Sequence, residues 1–207
     1  LLTQHGTKRF EKGHYLCFQD DIWPKAGFIL RGSVEWSILS PEGRRQLVFG
    51  LDACDVIWAH SLIDLLPMPA SLDVKEPSEI YLWDKDVILP IVMRYPEALW
   101  DVSFVLLNYM RKVREIVYGF AFHPVAGRLA RVLIDHYRPE EGKSIARDLT
   151  LDEMADAVGT TKELISRTLH RFADDGMLQV KRMEFVFNDI EKLEQVADGM
   201  IKNHSSF

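Results

Sequence analysis

Near the C-terminal end of this 207-residue chain, Lys162, Glu163, Ser166, Arg167 and His170 can all exchange hydrogen bonds or charge with base edges or phosphates. Their spacing of i, i+1, i+4, i+5 and i+8 gathers them on one side of a helix, toward its N-terminal end. An arginine placed there can give two hydrogen bonds to guanine O6 and N7, and a glutamate can accept one from cytosine N4. Ser166 and Lys162 suit either a base or a phosphate. Thr161 before this group and Arg171 after it extend the same polar surface.

Two short helices must hold these residues. Thr150 and Glu153 form a capping-box pair, Leu151, Met154, Ala155 and Val158 follow as one apolar stripe, and Gly159 ends the first helix. Thr160 and Glu163 repeat the capping pattern, and Ile165, Leu169 and Phe172 supply the buried stripe of the second helix. An ordinary helical hairpin with a solvated outer face has the same spacing. The residues after the second helix argue against it: Met177 to Val180 and Phe185 to Phe187 alternate like two strands around a polar turn, Lys181 to Glu184. A helix-turn-helix followed by a hairpin with Lys181 and Arg182 at its tip predicts a winged helix on duplex DNA, the wing touching phosphates.

Upstream, residues 7 to about 92 read as short strands broken by turns at Lys12-Gly13, Arg31-Gly32 and Ser40 to Gly43, with no long helix, which predicts a small β-barrel. From Pro96 to Phe120, Leu99, Val102, Leu106, Tyr109, Val113, Ile116 and Phe120 recur at steps of three and four. So narrow a seam either covers the protein's own barrel or pairs with a second copy; a parallel homodimer fits better, because it spaces two recognition helices for a palindrome. Pro124 is placed as the first residue of a further helix, with Val125, Leu129, Val132 and His136 on one face. The expected division is 1–95, a sensing barrel; 96–122, a dimerisation helix and hinge; and 123–207, a DNA-binding domain.

Composition bounds the alternatives. The net charge of −6 opposes phosphate binding overall, yet the cations fall on the second helix and the wing. Two cysteines, Cys17 and Cys54, are too few for a disulfide framework or metal cluster. No apolar run is long enough to span a bilayer and no secretory signal opens the chain, so no membrane and a cytoplasmic location are expected. Phosphate-loop, dinucleotide, zinc-protease and serine-hydrolase motifs are absent, so no enzyme is expected.

The order of parts, an α+β chain of β jelly-roll barrel, long helix and winged helix, resembles the cyclic-AMP receptor/fumarate-nitrate regulator (Crp/Fnr) superfamily of bacterial transcription factors. The resemblance rests on Phe10 to Leu16, Phe28 to Val34 and Ser40 to Leu47 in the barrel. In the DNA domain it rests on Val158 to Arg167, Phe172 to Leu178 and the tail Phe187 to Glu194. It implies a homodimer on palindromic DNA, with RNA polymerase as a further partner. Glu163, Ser166 and Arg167 match the E-x-x-S-R pattern of the fumarate-nitrate branch, so a G·C pair should matter in each half-site.

The ligand side departs from the family's best-known pattern. Trp58 and Ala59 stand where cyclic-nucleotide binders have Gly and Glu, and something like Met68-Pro69 replaces their Arg-Ser pair. An effector other than cyclic AMP is expected, an apolar or aromatic small molecule near Trp36, Trp58, His60 and Trp83. No metal or cofactor is expected, with one alternative: Ala59-His60-Ser61 resembles the M-H-S of carbon-monoxide-sensing members, in which that histidine ligates haem iron. An effector-independent regulator, and a sensor module with a degenerate DNA domain, remain open readings.

Overall fold

The computed structural model describes residues 7–199. The chain divides into two compact units, and the division falls inside a long helix, between Glu115 and Ile116.

The first unit is built on strands β1 (Lys8–Phe10), β2 (Tyr15–Cys17), β3 (Lys25–Leu39), β4 (Arg45–Leu51), β5 (Val56–Trp58) and β6 (Ser71–Asp84). Helix α1 (Ser61–Asp64) precedes β6, and α2 (Lys85–Arg94) and α3 (Pro96–Phe122) follow it. All six strands join one antiparallel sheet, in which the long strands β3 and β6 pair along most of their length. β4 and β5 flank the two halves of β3, and β1 and β2 flank the two halves of β6. Arg31-Gly32 is therefore no turn. It is an irregularity within a continuous strand: the register slips between Ile29 and Val34, and Gly32 takes φ +86°. The glycine that suggested a turn bends the strand instead. Helix α2 was not expected; Pro90 lies inside it, and Ile88 and Val92 bury one side against the barrel core.

The second unit holds α4 (Val125–Tyr137), β7 (Ser144–Ala146), α5 (Leu151–Val158), α6 (Lys162–Asp174), β8 (Leu178–Val180), β9 (Glu184–Phe187) and α7 (Ile190–Ala197). Pro124 caps α4 from outside, with Val125 the first helical residue. The buried face of α4 runs through Ala126, Leu129, Ala130, Leu133 and Tyr137; Val125 and Val132 pack at its margin, and His136 turns outward to Asp148 at 2.9 Å. The core gathers Met154, Ile165, Leu169, Phe172, Phe185, Phe187 and Leu193 from its helices and wing. Asp189 caps α7 by accepting from the Lys192 backbone N–H at 2.8 Å.

Candidate nucleic-acid interface

The turn between α5 and α6 is fixed by local hydrogen bonds. Thr150 Oγ1 accepts from the Glu153 N–H at 3.1 Å, and a Glu153 carboxylate oxygen accepts from the Thr150 N–H at 2.8 Å, completing the expected capping box. Gly159 takes φ +73° and closes α5, and Thr160 also donates its N–H to the Ala155 carbonyl at 3.0 Å. The cap of α6 is therefore Thr161, one residue later than expected; its Oγ1 accepts from the Leu164 N–H. Thr160 is used in the turn, so Thr161 meets the first free amides of the helix.

From that start α6 buries Ile165, Thr168, Leu169 and Phe172 and leaves Lys162, Glu163, Arg167 and His170 exposed, with Ser166 and Arg171 half-buried. The His170 Nδ1 lies 2.7 Å from the Ser166 carbonyl, which can only accept, so Nδ1 is the donor of that bond. The Glu163 backbone N–H and the Thr161 hydroxyl, reinforced by Lys162 and Arg167, hold the Glu163 carboxyl below its usual range, so it offers an ionised acceptor. Among the described residues Lys162 has only a loose contact with Asp152 at 3.8 Å. Arg167 has no hydrogen bond or ion pair among the described residues. With Arg171 it borders a cleft of about 440 Å³, whose other walls are Leu164, Thr168 and the residues 124–126 that open α4.

The wing has a strand that was not expected: β7 joins β9, giving the order β7-β9-β8. Ser144–Ala146 is too short and too polar for an alternation signal. In the hairpin Val180 pairs with Phe185, and the Lys181 N–H donates to the Glu184 carbonyl at 3.0 Å. Lys181 Nζ also donates to Glu184 Oε1 at 2.6 Å, and Ser144 donates to the other carboxylate oxygen. Lys181 is therefore balanced by its own hairpin, and the tip cation with no hydrogen bond or ion pair among the described residues is Arg182.

Two family models match this arrangement of parts. A cyclic nucleotide-binding domain matches residues 7–95 and a Crp-like helix-turn-helix domain residues 127–196, together well over half the chain. The chain belongs to the Crp/Fnr superfamily of transcription regulators. A CRP-like cAMP-activated global transcriptional regulator of Mycobacterium tuberculosis is 24% identical to it over 91% of this chain and 86% of its own length. Among solved structures, a putative Crp/Fnr-family regulator from Eubacterium rectale superposes with TM-score 0.80 at 16% identity, covering 95% of this chain and 91% of that one. The c-di-GMP-responsive global regulator CLP of Xanthomonas campestris gives 0.78 at 16% identity over 90% and 95%. These likenesses carry the fold. The superfamily's members regulate transcription by binding DNA and are not enzymes, and no described helix of this Crp/Fnr chain is long and apolar enough to cross a membrane.

In the barrel of this Crp/Fnr protein, the four residues expected to line an effector pocket are only partly together. His60 packs edge-on against Trp36 at 5.4 Å, and Trp36, Phe49 and Tyr109 form one aromatic cluster. Trp58 and Trp83 lie across β3 on either side of Ala26, with Trp83 stacked on Tyr81. All three indoles are buried in the barrel core, yet none of their ring N–H groups has a partner among the described residues. The half-buried Arg45, which the sequence did not single out, donates to Glu35 and Asp73 at 2.8–3.1 Å. Burial pushes the Cys17 thiol up to about 12, so it stays protonated and inert.

The helix seam also needs correction. Val102 and Leu106 pack on the barrel core, and Tyr109 is buried in it; the Tyr109 hydroxyl donates to the Val56 carbonyl at 2.6 Å and accepts from the Trp58 N–H. Leu99, Val113 and Phe120 are exposed and Ile116 is half-buried. The exposed apolar surface of residues 96–115 is a second stripe, Leu99, Trp100, Phe104, Leu107, Met110 and Val113, about a quarter-turn away. The expected seam therefore mixes both faces: Val102, Leu106 and Tyr109 belong to the barrel, while Leu99 and Val113 lie on the exposed stripe.

Proposed function

We propose that this chain is a homodimeric regulator that reads a palindrome through α6 and answers to an apolar or aromatic small molecule rather than to cyclic AMP. What carries the reading is the free Arg167 beside an ionised Glu163 on the exposed face of α6, a donor-acceptor pair suited to one G·C pair per half-site. The second stripe of α3 supports the dimer. Trp100 and Met110 are each 68% exposed on it, and apolar surface of that extent marks an association site. RNA polymerase is the further partner that such a regulator engages.

The effector reading is supported by what surrounds the segment from Val56 to Ala70. Ala59 and Met68 are fully buried, so apolar groups fill the places where a cyclic phosphate would need donors. Arg45 is already held between two carboxylates. The three unpartnered indole N–H groups favour an apolar molecule with a hydrogen-bond acceptor. Calorimetry should give no cyclic-AMP affinity in the micromolar range; such an affinity would remove this reading. An absorption spectrum tests the alternative, since a Soret band lost in His60→Ala would install haem in place of the apolar effector.

Sedimentation tests the dimer through two neighbouring residues. Leu107→Glu should shift the protein toward monomer and leave the barrel folded, because the charge would be buried only against a second copy. Leu106→Glu should instead lower the unfolding temperature, because Leu106 packs on its own core. A dimer indifferent to Leu107→Glu would sink the proposed pairing.

A further inference from the structure

The two residues at the tip of the wing hairpin are Arg182 and Met183. Arg182 is exposed, with no hydrogen bond or ion pair among the described residues, and Met183 is 70% exposed. A phosphate contact would use Arg182 and leave Met183 without a role, since a thioether is at best a weak acceptor and gives a phosphate nothing. A long planar cation beside a flexible apolar chain is, however, the combination that enters a minor groove. The guanidinium is drawn to the negative potential of a narrow A·T-rich groove, and the apolar chain packs between the sugar walls or against a base step. The groove is roughly 6 Å wide, enough for a two-residue tip.

The hairpin is tied to α6 as one piece. The Met177 N–H donates to the Phe172 carbonyl at 2.9 Å, and Phe172, Leu178 and Phe185 share one core. A recognition helix seated in the major groove would therefore hold the tip at a fixed place on the same duplex. We propose that Arg182 and Met183 read the minor groove beside each half-site and select A·T pairs there. The inference rests on α6 being the recognition helix.

Dimethyl sulfate separates the two, because it methylates guanine N7 in the major groove and adenine N3 in the minor groove. On a duplex selected from a random pool by the intact protein, guanine N7 should be protected where α6 binds and adenine N3 at a flanking step. Arg182→Ala and Met183→Ser should each lose the adenine protection and keep the guanine protection. Placing G·C at that step should weaken the parent protein roughly five- to tenfold, and inosine·cytosine, which lacks the amino group in the minor groove, should restore it. Guanine protection without adenine protection, with Arg182→Ala weakening every duplex alike, would overturn the minor-groove role and leave α6 standing. No protection at either position would overturn the recognition-helix reading itself.

Discussion

In the barrel, Arg45 is enclosed by Glu35 and Asp73 within 3.1 Å, and Ser37 donates to the same Asp73 at 2.9 Å. In the winged helix, Arg167 stands exposed beside Glu163 and has no ion-pair partner among the described residues. The same guanidinium is a structural counter-charge in one unit and, in the function proposed above, a base reader in the other, and its neighbours decide which. A half-buried arginine between two carboxylates has its donors used within the fold. A solvated arginine on a helix whose other side is core has all five donors available for a base.

Two experiments test that contrast. Arg45→Met removes the cation shared by two poorly solvated carboxylates, leaving Glu35 to the more exposed Lys75 at 3.4 Å, and should destabilise the barrel by about 3 kcal/mol. Thermal unfolding reads this, and adding Glu35→Gln and Asp73→Asn should recover most of the loss. An unaltered midpoint would show the cluster to be screened and would dissolve the contrast. Arg167→Ala should leave the unfolding midpoint where it is and weaken the specific duplex by about 1 to 3 kcal/mol, blunting discrimination at one G·C pair. Equal binding to specific and scrambled duplexes by variant and parent would remove Arg167 from the readers.

The smallest effect concerns pH. Desolvation lowers the pKa of His60 below its ordinary 6.5, with Asp64 opposing. Just below pH 6.5 the unfolded chain binds the proton first, so barrel stability should rise with pH across that window and fall as the solution is acidified. A His60→Phe variant should flatten that slope, and a slope that persists would assign it to other groups.

The winged helix was legible because its signals are local. Thr150 with Glu153, Gly159 after Val158, and Ile165, Leu169 and Phe172 at helical steps all act within one or two turns. Even the slip from Thr161 to Thr160 came from two adjacent threonines, each followed closely by a suitable partner. The barrel was legible only in outline. A glycine after a charged residue marks a turn and a bulge equally well, so β3 was read as two strands where the pairing with β6 makes one. The exposed apolar side of α3 was out of reach for a related reason. Periodicity shows that a helix is amphipathic, but only packing shows that Leu106 is covered by the barrel while Leu107, one residue on, is open to solvent. The three-residue β7 and the tie from Ser144 to Glu184 gave no signal, because a strand that short has no alternation to read.

Gly32 has a consequence for how the barrel can vary. A Cβ built there would lie 2.2 Å from Ser78 Oγ and 2.7 Å from the Pro77 carbonyl, and the backbone already sits at φ +86°. Most positions in a core discriminate by size or by polarity, so some other residue can be accommodated by adjusting a neighbour. Position 32 rejects every side chain for two independent reasons, since Asn or Asp would ease the backbone strain and still collide with the opposing strand. In a saturation library scored for folded barrel, it should stand out as a column with a single survivor.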